Sequence, residues 1–145
     1  MNIGQLIEGR ASSSVISCGT EMSMRDAVAL LAEKRIGAVP VMKDGEVVGI
    51  FSERDVIYRL AEEGEVCLSR ALGEVMTSPA ITVDRDTACD GAMALMTRRR
   101  IRHLPVLDKD EATMCGFISI GDLVKARMDE VESEARAMRD YITTG

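Results

Sequence analysis

Aromatic residues are scarce in this sequence of 145 residues, which has no tryptophan, two tyrosines and two phenylalanines. The core must therefore be mainly aliphatic, and ten methionines are available to fill its gaps. No apolar run is long enough to cross a membrane, and no basic stretch followed by an apolar segment marks the N-terminus for export. We therefore expect a cytoplasmic protein that has no membrane partner.

Several kinds of site lack the residues that they need. The one histidine, His103, cannot form a histidine-rich metal site, and the four cysteines lack C-x-x-C spacing, so we expect buried thiols and no required metal. The net charge of −6 argues against nucleic acid as a partner, because phosphate binding needs a basic face. The absence of a nucleophile elbow, a P-loop and a Gly-x-Gly-x-x-Gly motif argues against an enzyme.

What the sequence does contain is an internal duplication. Residues 49–55 read Gly-Ile-Phe-Ser-Glu-Arg-Asp, and residues 116–122 read Gly-Phe-Ile-Ser-Ile-Gly-Asp. Residues 36–41 are likewise matched by residues 101–106. Each half is predicted to follow the order β-α-β-β-α, which is too small to bury its own faces. We therefore predict an α/β (α+β) fold in which two repeats pack together.

The repeated serine–aspartate corner is the strongest candidate site in each half. An apolar pair before a serine is typical of the end of a buried strand, and an acid three residues later is typical of a capped helix. The unpaired N–H groups and partial positive charge of a helix N-terminus suit an anionic ligand group. Ser52 with Asp55, and Ser119 with Asp122, could bind such a group. The alternative is that both corners are capping boxes without a ligand.

Local patterns predict the other elements. They are strands over residues 15–18 and 80–83, a helix capped by Ser23, a hairpin turn at Asp44-Gly45 with its return strand over 46–51, a helix from Ser52 to about Leu60, and a second, longer hairpin over residues 108–114. Residues 72–76 also echo residues 3–7. We assign residues 1–62 to the first repeat, 63–74 to a linker and the start of the second repeat, 75–128 to the second repeat, and 129–145 to a C-terminal helical extension.

The last helix carries an apolar stripe along one side. Its members step by four and three residues: Val124, Met128, Val131, Ala135, Met138 and Ile142. This spacing is typical of a short coiled coil. A long helix lying on its own domain would show a similar pattern, so the stripe alone does not indicate a partner helix.

Together these motifs resemble a stand-alone tandem cystathionine-β-synthase (CBS) domain pair, often called a Bateman module. The resemblance covers about residues 3 to 128 and includes Val75-Met76-Thr77 as a repeat opening. It implies two repeats related by a pseudo-twofold axis and a homodimer formed through the repeat helices. It also implies a regulatory sensor of adenosine ligands without catalysis, with AMP first among them and ADP, ATP, NAD(H) and S-adenosylmethionine as the others. The protein target stays unknown.

The resemblance also implies roles for individual residues. Asp55 and Asp122 would accept hydrogen bonds from ribose hydroxyls, and Ser52 and Ser119 would lie near phosphate. The residues that would border or back the adenine are Ile36, Gly37, Ala38, Ile101, Arg102 and His103, with Ile16 and Ile81 behind them.

The two halves would differ in charge. Relatives often place phosphate-binding cations at the positions of Arg102 and His103, whereas Arg54 is the nearby cation of the first half. We therefore expect the second half to hold the phosphorylated part of a ligand. Two alternatives stay open: Gly37 could serve only to end a helix, and His103 could simply cover the sheet edge. The competing function is an interaction scaffold whose nucleotide cleft is empty or purely structural.

Overall fold

The computed structural model describes residues 1–110 and 113–144. In chain order its elements are α1 (Ile3–Leu6), β1 (Cys18–Gly19), α2 (Met24–Lys34), β2 (Ala38–Lys43), β3 (Glu46–Ser52), α3 (Glu53–Glu63), α4 (Leu72–Val75), β4 (Val83–Asp84), α5 (Cys89–Arg99), β5 (His103–Leu107), β6 (Met114–Ser119) and α6 (Ile120–Thr144), with short 3-10 turns at Ser12–Ser14 and Gly64–Ser69. The predicted order β-α-β-β-α is confirmed in both halves.

Each half builds one three-stranded sheet with the same topology. The sheets have the orders β1-β2-β3 and β4-β5-β6, and in both the first pair is parallel and the second antiparallel. Val39 lies opposite Phe51 in one sheet, and Leu104 lies opposite Ile118 in the other. All four side chains are fully buried, so the same apolar face of each sheet forms the core.

The hairpin turn and the helix cap that were predicted from the sequence have the expected geometry. Asp44 and Gly45 both have positive φ, 51° and 81°, as a two-residue hairpin turn requires. The Ser23 hydroxyl accepts a hydrogen bond from the N–H of Asp26 at the start of α2. Helix α3 runs three residues beyond its predicted end and stops where Gly64 has a φ of 74°. The tip of the second hairpin, residues 111 and 112, lies outside the described residues.

The first strand of each half is shorter and later than predicted. Strands were expected over residues 15–18 and 80–83, but pairing is limited to Cys18–Gly19 and Val83–Asp84. The residues just before these strands, among them Val15 and Ala80, line the clefts described below. Ile16 and Ile81 therefore face a cleft instead of taking part in a sheet.

The opening segment of each half packs on the other half. Ile3 and Ile7 belong to the core cluster of the second sheet, and Cys67 and Leu72 belong to that of the first. A backbone hydrogen bond of 2.9 Å holds each opening segment in place: the N–H of Ile3 donates to the carbonyl of Thr87, and the N–H of Leu72 donates to the carbonyl of Met22. The packed units are therefore discontinuous in sequence, and the domain bounds drawn from the repeat stay a prediction.

The packing of each opening segment on the other half explains why each repeated corner begins with a glycine. A Cβ on Gly49 would lie 2.8 Å from the carbonyl oxygen of Thr77, and one on Gly116 would lie 3.1 Å from Cδ1 of Ile7. Real Cβ atoms are essentially never found closer than 3.0 Å to such a neighbour. Glycine is therefore needed at residue 49, and favoured at residue 116, because the opposite opening segment crosses β3 and β6 there.

Helix α6 extends far beyond the body of the molecule. Leu123 in its first turn is buried, whereas each residue from 131 to 144 is exposed. The predicted C-terminal helical extension is thus present as a projecting arm. Among the described helices none combines the length and the apolar character that crossing a membrane requires.

Candidate functional site

Both serine–aspartate corners are capping boxes. The N–H of Ser52 donates to Oδ2 of Asp55 over 2.9 Å, and the N–H of Ser119 donates to Oδ2 of Asp122 over 2.9 Å. In the second corner the Ser119 hydroxyl also accepts from the N–H of Asp122. Capping therefore uses one oxygen of each carboxylate and leaves Oδ1 for other contacts.

The backbone N–H groups at these helix starts are less available than the sequence suggested. The N–H of Glu53 donates to the carbonyl of Gly37 over 3.0 Å, and the N–H of Ile120 donates to that of Arg102 over 2.8 Å. The serine N–H before each of them is taken by the capping aspartate. Two of the N–H groups at each corner are therefore paired, because hydrogen bonding continues one residue past each hairpin.

The first corner opens onto a cavity of about 140 Å³, which we name the Asp55 cleft. The candidate residues that line it are Gly37, Ala38, Ser52, Arg54, Asp55, Ile81, Ile101, Arg102 and His103. The first half thus supplies the corner, whereas the second half supplies Ile81 and the segment that leads into β5. The cleft is consequently built between the halves.

The second corner opens onto a cavity of about 300 Å³, the Asp122 cleft. The candidate residues that line it are Ile16, Ile36, Ala38, His103, Ser119 and Asp122. Here the second half supplies the corner, and the first half supplies the aliphatic wall of Ile16 and Ile36. Every candidate residue therefore lies in one of two clefts that repeat the same plan.

Each capping aspartate has a partner that the sequence analysis did not include among the site residues. Oδ1 of Asp55 accepts a hydrogen bond of 2.9 Å from the Thr77 hydroxyl, whereas Oδ1 of Asp122 lies 3.5 Å from a guanidinium nitrogen of Arg10. Both partners follow an opening segment, residues 72–76 or 3–7. The echo between those segments was the signal that could have located them, because equivalent segments lead to equivalent corners.

His103 lies between the two clefts and lines both. Its ring stacks on Phe117, with centroids 5.5 Å apart and planes inclined by 15°. Burial, aided by the charge of Arg102, lowers the pKa of His103, although Asp122 and Glu53 act in the opposite direction. Burial therefore favours the neutral form of the imidazole, which offers both clefts an aromatic surface. A phosphate-binding role for His103 stays a prediction.

The cations are divided between clefts, not between halves. Arg54 from the first half and Arg102 from the second both line the Asp55 cleft. The Asp122 cleft has Arg10, whose charge is partly balanced by Asp122. The difference in charge is therefore a difference between the two clefts, because one arginine from each half lines the Asp55 cleft.

Metal ligands are not gathered in the part of the chain that the structure describes. Within residues 1–110 and 113–144 no group of three or more histidine, cysteine, aspartate or glutamate side chains is placed to hold a metal ion. Burial raises the pKa of the Cys18 and Cys89 thiols, and also that of the half-buried Cys115. These thiols are therefore protonated near neutral pH, which disfavours metal binding by them.

Known proteins share this fold and sequence pattern. The family model described as the CBS domain matches residues 4–62 and 72–129. The mitochondrial CBS domain-containing protein CBSX3 of Arabidopsis thaliana is 38% identical over 140 residues, which are 93% of this chain and 67% of that protein. A CBS-domain containing protein of Agrobacterium tumefaciens has a crystal structure with a TM-score of 0.80 and 34% identity, covering 88% of this chain and 99% of that one.

Two further relatives bear on ligands and catalysis. The CBSX2 protein of Arabidopsis thaliana, solved in complex with AMP, has a TM-score of 0.74 and 26% identity, covering 88% of this chain and 96% of that one. Inosine-5'-monophosphate dehydrogenase of Mycobacterium tuberculosis is 34% identical over 112 residues, but these are only 20% of that enzyme. The match to the enzyme is thus confined to a fifth of its length.

Proposed function

The chain belongs to the CBS-domain family, and from this premise we propose that it is a regulatory module that binds adenosine nucleotides and catalyses no reaction itself. The observation that supports this most strongly is the pair of clefts. In each, a capping aspartate presents Oδ1 beside an aliphatic wall contributed by the other half. A relative with the same fold has been solved with AMP.

The clefts suit the parts of an adenosine ligand. Ile81 and Ile101 in the Asp55 cleft, and Ile16 and Ile36 in the Asp122 cleft, offer apolar surface to a purine. The ribose hydroxyls would donate to Oδ1 of the capping aspartate, since an ionised carboxylate only accepts hydrogen bonds. A purine in either cleft would also lie near His103, whose neutral ring can stack on a base.

The arginines favour a phosphorylated ligand in the Asp55 cleft. Arg54 and Arg102 together provide two positive charges within one small cavity, and charges interact more strongly there than in bulk water. AMP is therefore the first ligand to test, with ADP, ATP, NAD(H) and S-adenosylmethionine after it. No metal is needed to neutralise a single phosphate that meets two arginines.

We also propose a homodimer that forms through the repeat helices. An open groove of about 500 Å³ runs between α2 and α3 and is lined mainly by aliphatic side chains, among them Val28, Leu31, Val56 and Ile57. Ile57 is 63% exposed and Tyr58 beside it is 64% exposed. An apolar surface of this kind is typical of a protein–protein contact. A protein target that receives the signal has still to be identified.

Calorimetric titration with AMP tests the proposed ligand. Asp55→Asn keeps an oxygen that can cap the helix but removes the charge and one acceptor, so it should weaken AMP binding in the Asp55 cleft about tenfold to a hundredfold. Ser23→Ala is the control, because it removes the hydroxyl that caps α2 and lies outside both clefts. It should lower the melting temperature and change AMP affinity much less.

The same experiment separates the sensor from the scaffold. If Asp122→Asn and Asp55→Asn together leave the AMP titration unchanged, the carboxylates do not bind ribose and the proposal is wrong. If the wild-type protein gives no binding heat with any of the named ligands but still dimerises, the scaffold is the better description. The exposed apolar groove between α2 and α3 is the observation that favours that alternative.

A further inference from the structure

The distal part of α6 is a helix without a partner in the monomer. Each residue from 131 to 144 is exposed, and the last buried residue of the helix is Leu123. This segment continues a helix that is already nucleated on the body of the molecule, so it can stay helical without a partner. Its apolar side chains are nevertheless left in water, and a partner that buried them would stabilise the assembly.

The exposed apolar side chains of α6 lie along one line. Val124, Met128 and Val131 are 41%, 66% and 49% exposed, and Met138 and Ile142 are 62% and 70% exposed. With Ala135 they fill alternate first and fourth positions of a seven-residue repeat. Such a line forms the seam of a two-stranded coiled coil, in which each apolar side chain packs between four residues of the partner.

The charges beside this seam favour a second copy of the same helix as the partner. In a parallel pair of identical helices, the residue just before a first seam position faces the residue five places later on the other helix. Arg127 of one copy would face Glu132 of the other, and Glu134 would face Arg139. Both pairs are opposite in sign and each occurs twice. The seam is therefore complementary to itself.

We propose that two copies of the chain join through a parallel, in-register coiled coil of their α6 helices. Arg127 and Glu132 already form ion pairs within their own helix, with Glu130 and Arg136. Neither Glu134 nor Arg139 takes part in an ion pair within the described residues, so the charge complementarity between copies depends mainly on these two. An antiparallel arrangement that sets Ala135 against Met138 of the other copy would place Glu134 opposite Tyr141. It would keep only the pair of Glu132 with Arg139. The inference concerns α6 alone and does not depend on nucleotide binding.

Oxidative cross-linking of the full chain tests the seam. Met138→Cys places a thiol at a seam position, where it meets the same residue of the other copy in a parallel pair. Asp140→Cys is the control, because residue 140 lies on the opposite side of the helix. We expect a rapid disulfide-linked dimer from the first variant and little from the second or from the wild type, whose cysteines are buried or half-buried. Equal rates for the two variants would overturn the proposal.

A charge exchange tests the register. Glu134→Arg sets like charges against Arg139 of the other copy and should raise the dissociation constant of the dimer about tenfold in sedimentation equilibrium. Adding Arg139→Glu restores opposite charges and should return the constant close to the wild-type value. Arginine and glutamate have similar helix propensities, so the helix itself is little changed. If the double variant stays as weak as Glu134→Arg, the parallel register is wrong.

Discussion

Replacing Gly49 by alanine should destabilise the protein much more than the same change at Gly116. A Cβ on Gly49 would lie 2.6 Å from the sulfur of Met76 and 2.8 Å from the carbonyl oxygen of Thr77. The backbone of Thr77 cannot easily move away, because two hydrogen bonds of 2.9 Å tie it to Ile50. Its hydroxyl is also held by Asp55. The new methyl group must therefore push β3 and the opposite opening segment apart.

The size of the effect follows from these contacts. Overpacking at a constrained site costs about 1–3 kcal/mol, and a weakened backbone hydrogen bond adds roughly 1 kcal/mol. We expect Gly49→Ala to lower the free energy of unfolding by about 2–4 kcal/mol. At Gly116 the nearest atom is the end of the Ile7 side chain at 3.1 Å, which can rotate away, so the loss should stay below about 1 kcal/mol.

Urea unfolding followed by circular dichroism measures both losses, and Gly91 supplies a positive control. Gly91 lies in α5, and a Cβ there would meet no atom within 4 Å. Gly91→Ala should therefore raise the free energy of unfolding by about 0.5–1 kcal/mol, because alanine favours the helix. If Gly49→Ala and Gly116→Ala have equal stability, the crossing of the opposite segment does not explain the repeated glycine.

Three other predictions follow from the same structure. Burial lowers the pKa of His103 below its ordinary 6.5, so the stability that depends on its neutral form is complete above pH 6.5 and is lost as the pH falls below that value. The melting temperature of His103→Gln should therefore fall less on acidification than that of the wild type. Leu72→Ala should cost about 2–5 kcal/mol in a urea titration, because the side chain is fully buried in the core of the first sheet although it precedes the second repeat. Arg102→Ala should weaken AMP more than adenosine in the Asp55 cleft, and the difference should shrink at high salt, whereas a constant ratio of affinities would show that Arg102 does not meet the phosphate.

Local signals made much of this fold predictable from sequence. The turn at Asp44-Gly45, the cap at Ser23 and the two serine–aspartate corners each depend on residues within four positions of one another. Their physics is local, so one sequence is enough to read it. The duplication then fixed the β-α-β-β-α order, because the second copy repeated the same signals at the same places.

The features that could not be predicted depend on contacts between the halves. Nothing local shows that Ile3 packs with the second sheet and Leu72 with the first. That exchange places Thr77 against Asp55, and the packing of the two halves brings Arg54 and Arg102 into one cleft. The hydrogen bonds of the Glu53 and Ile120 N–H groups could not be predicted either, because they depend on where the strand pairing of each hairpin ends. Many of the cleft residues could therefore be named from the sequence, but Thr77, Arg10 and the division between two clefts could not.

Native mass spectrometry of the purified full chain shows directly whether the protein binds an adenosine ligand. We expect the folded protein to carry, or to take up when AMP is added, a ligand that contains adenosine and is released on denaturation. With Asp55→Asn and Asp122→Asn combined, that bound mass should be lost while the chain stays folded. A wild-type spectrum that shows only the bare chain before and after the addition of AMP, ADP, ATP, NAD(H) and S-adenosylmethionine would contradict the account.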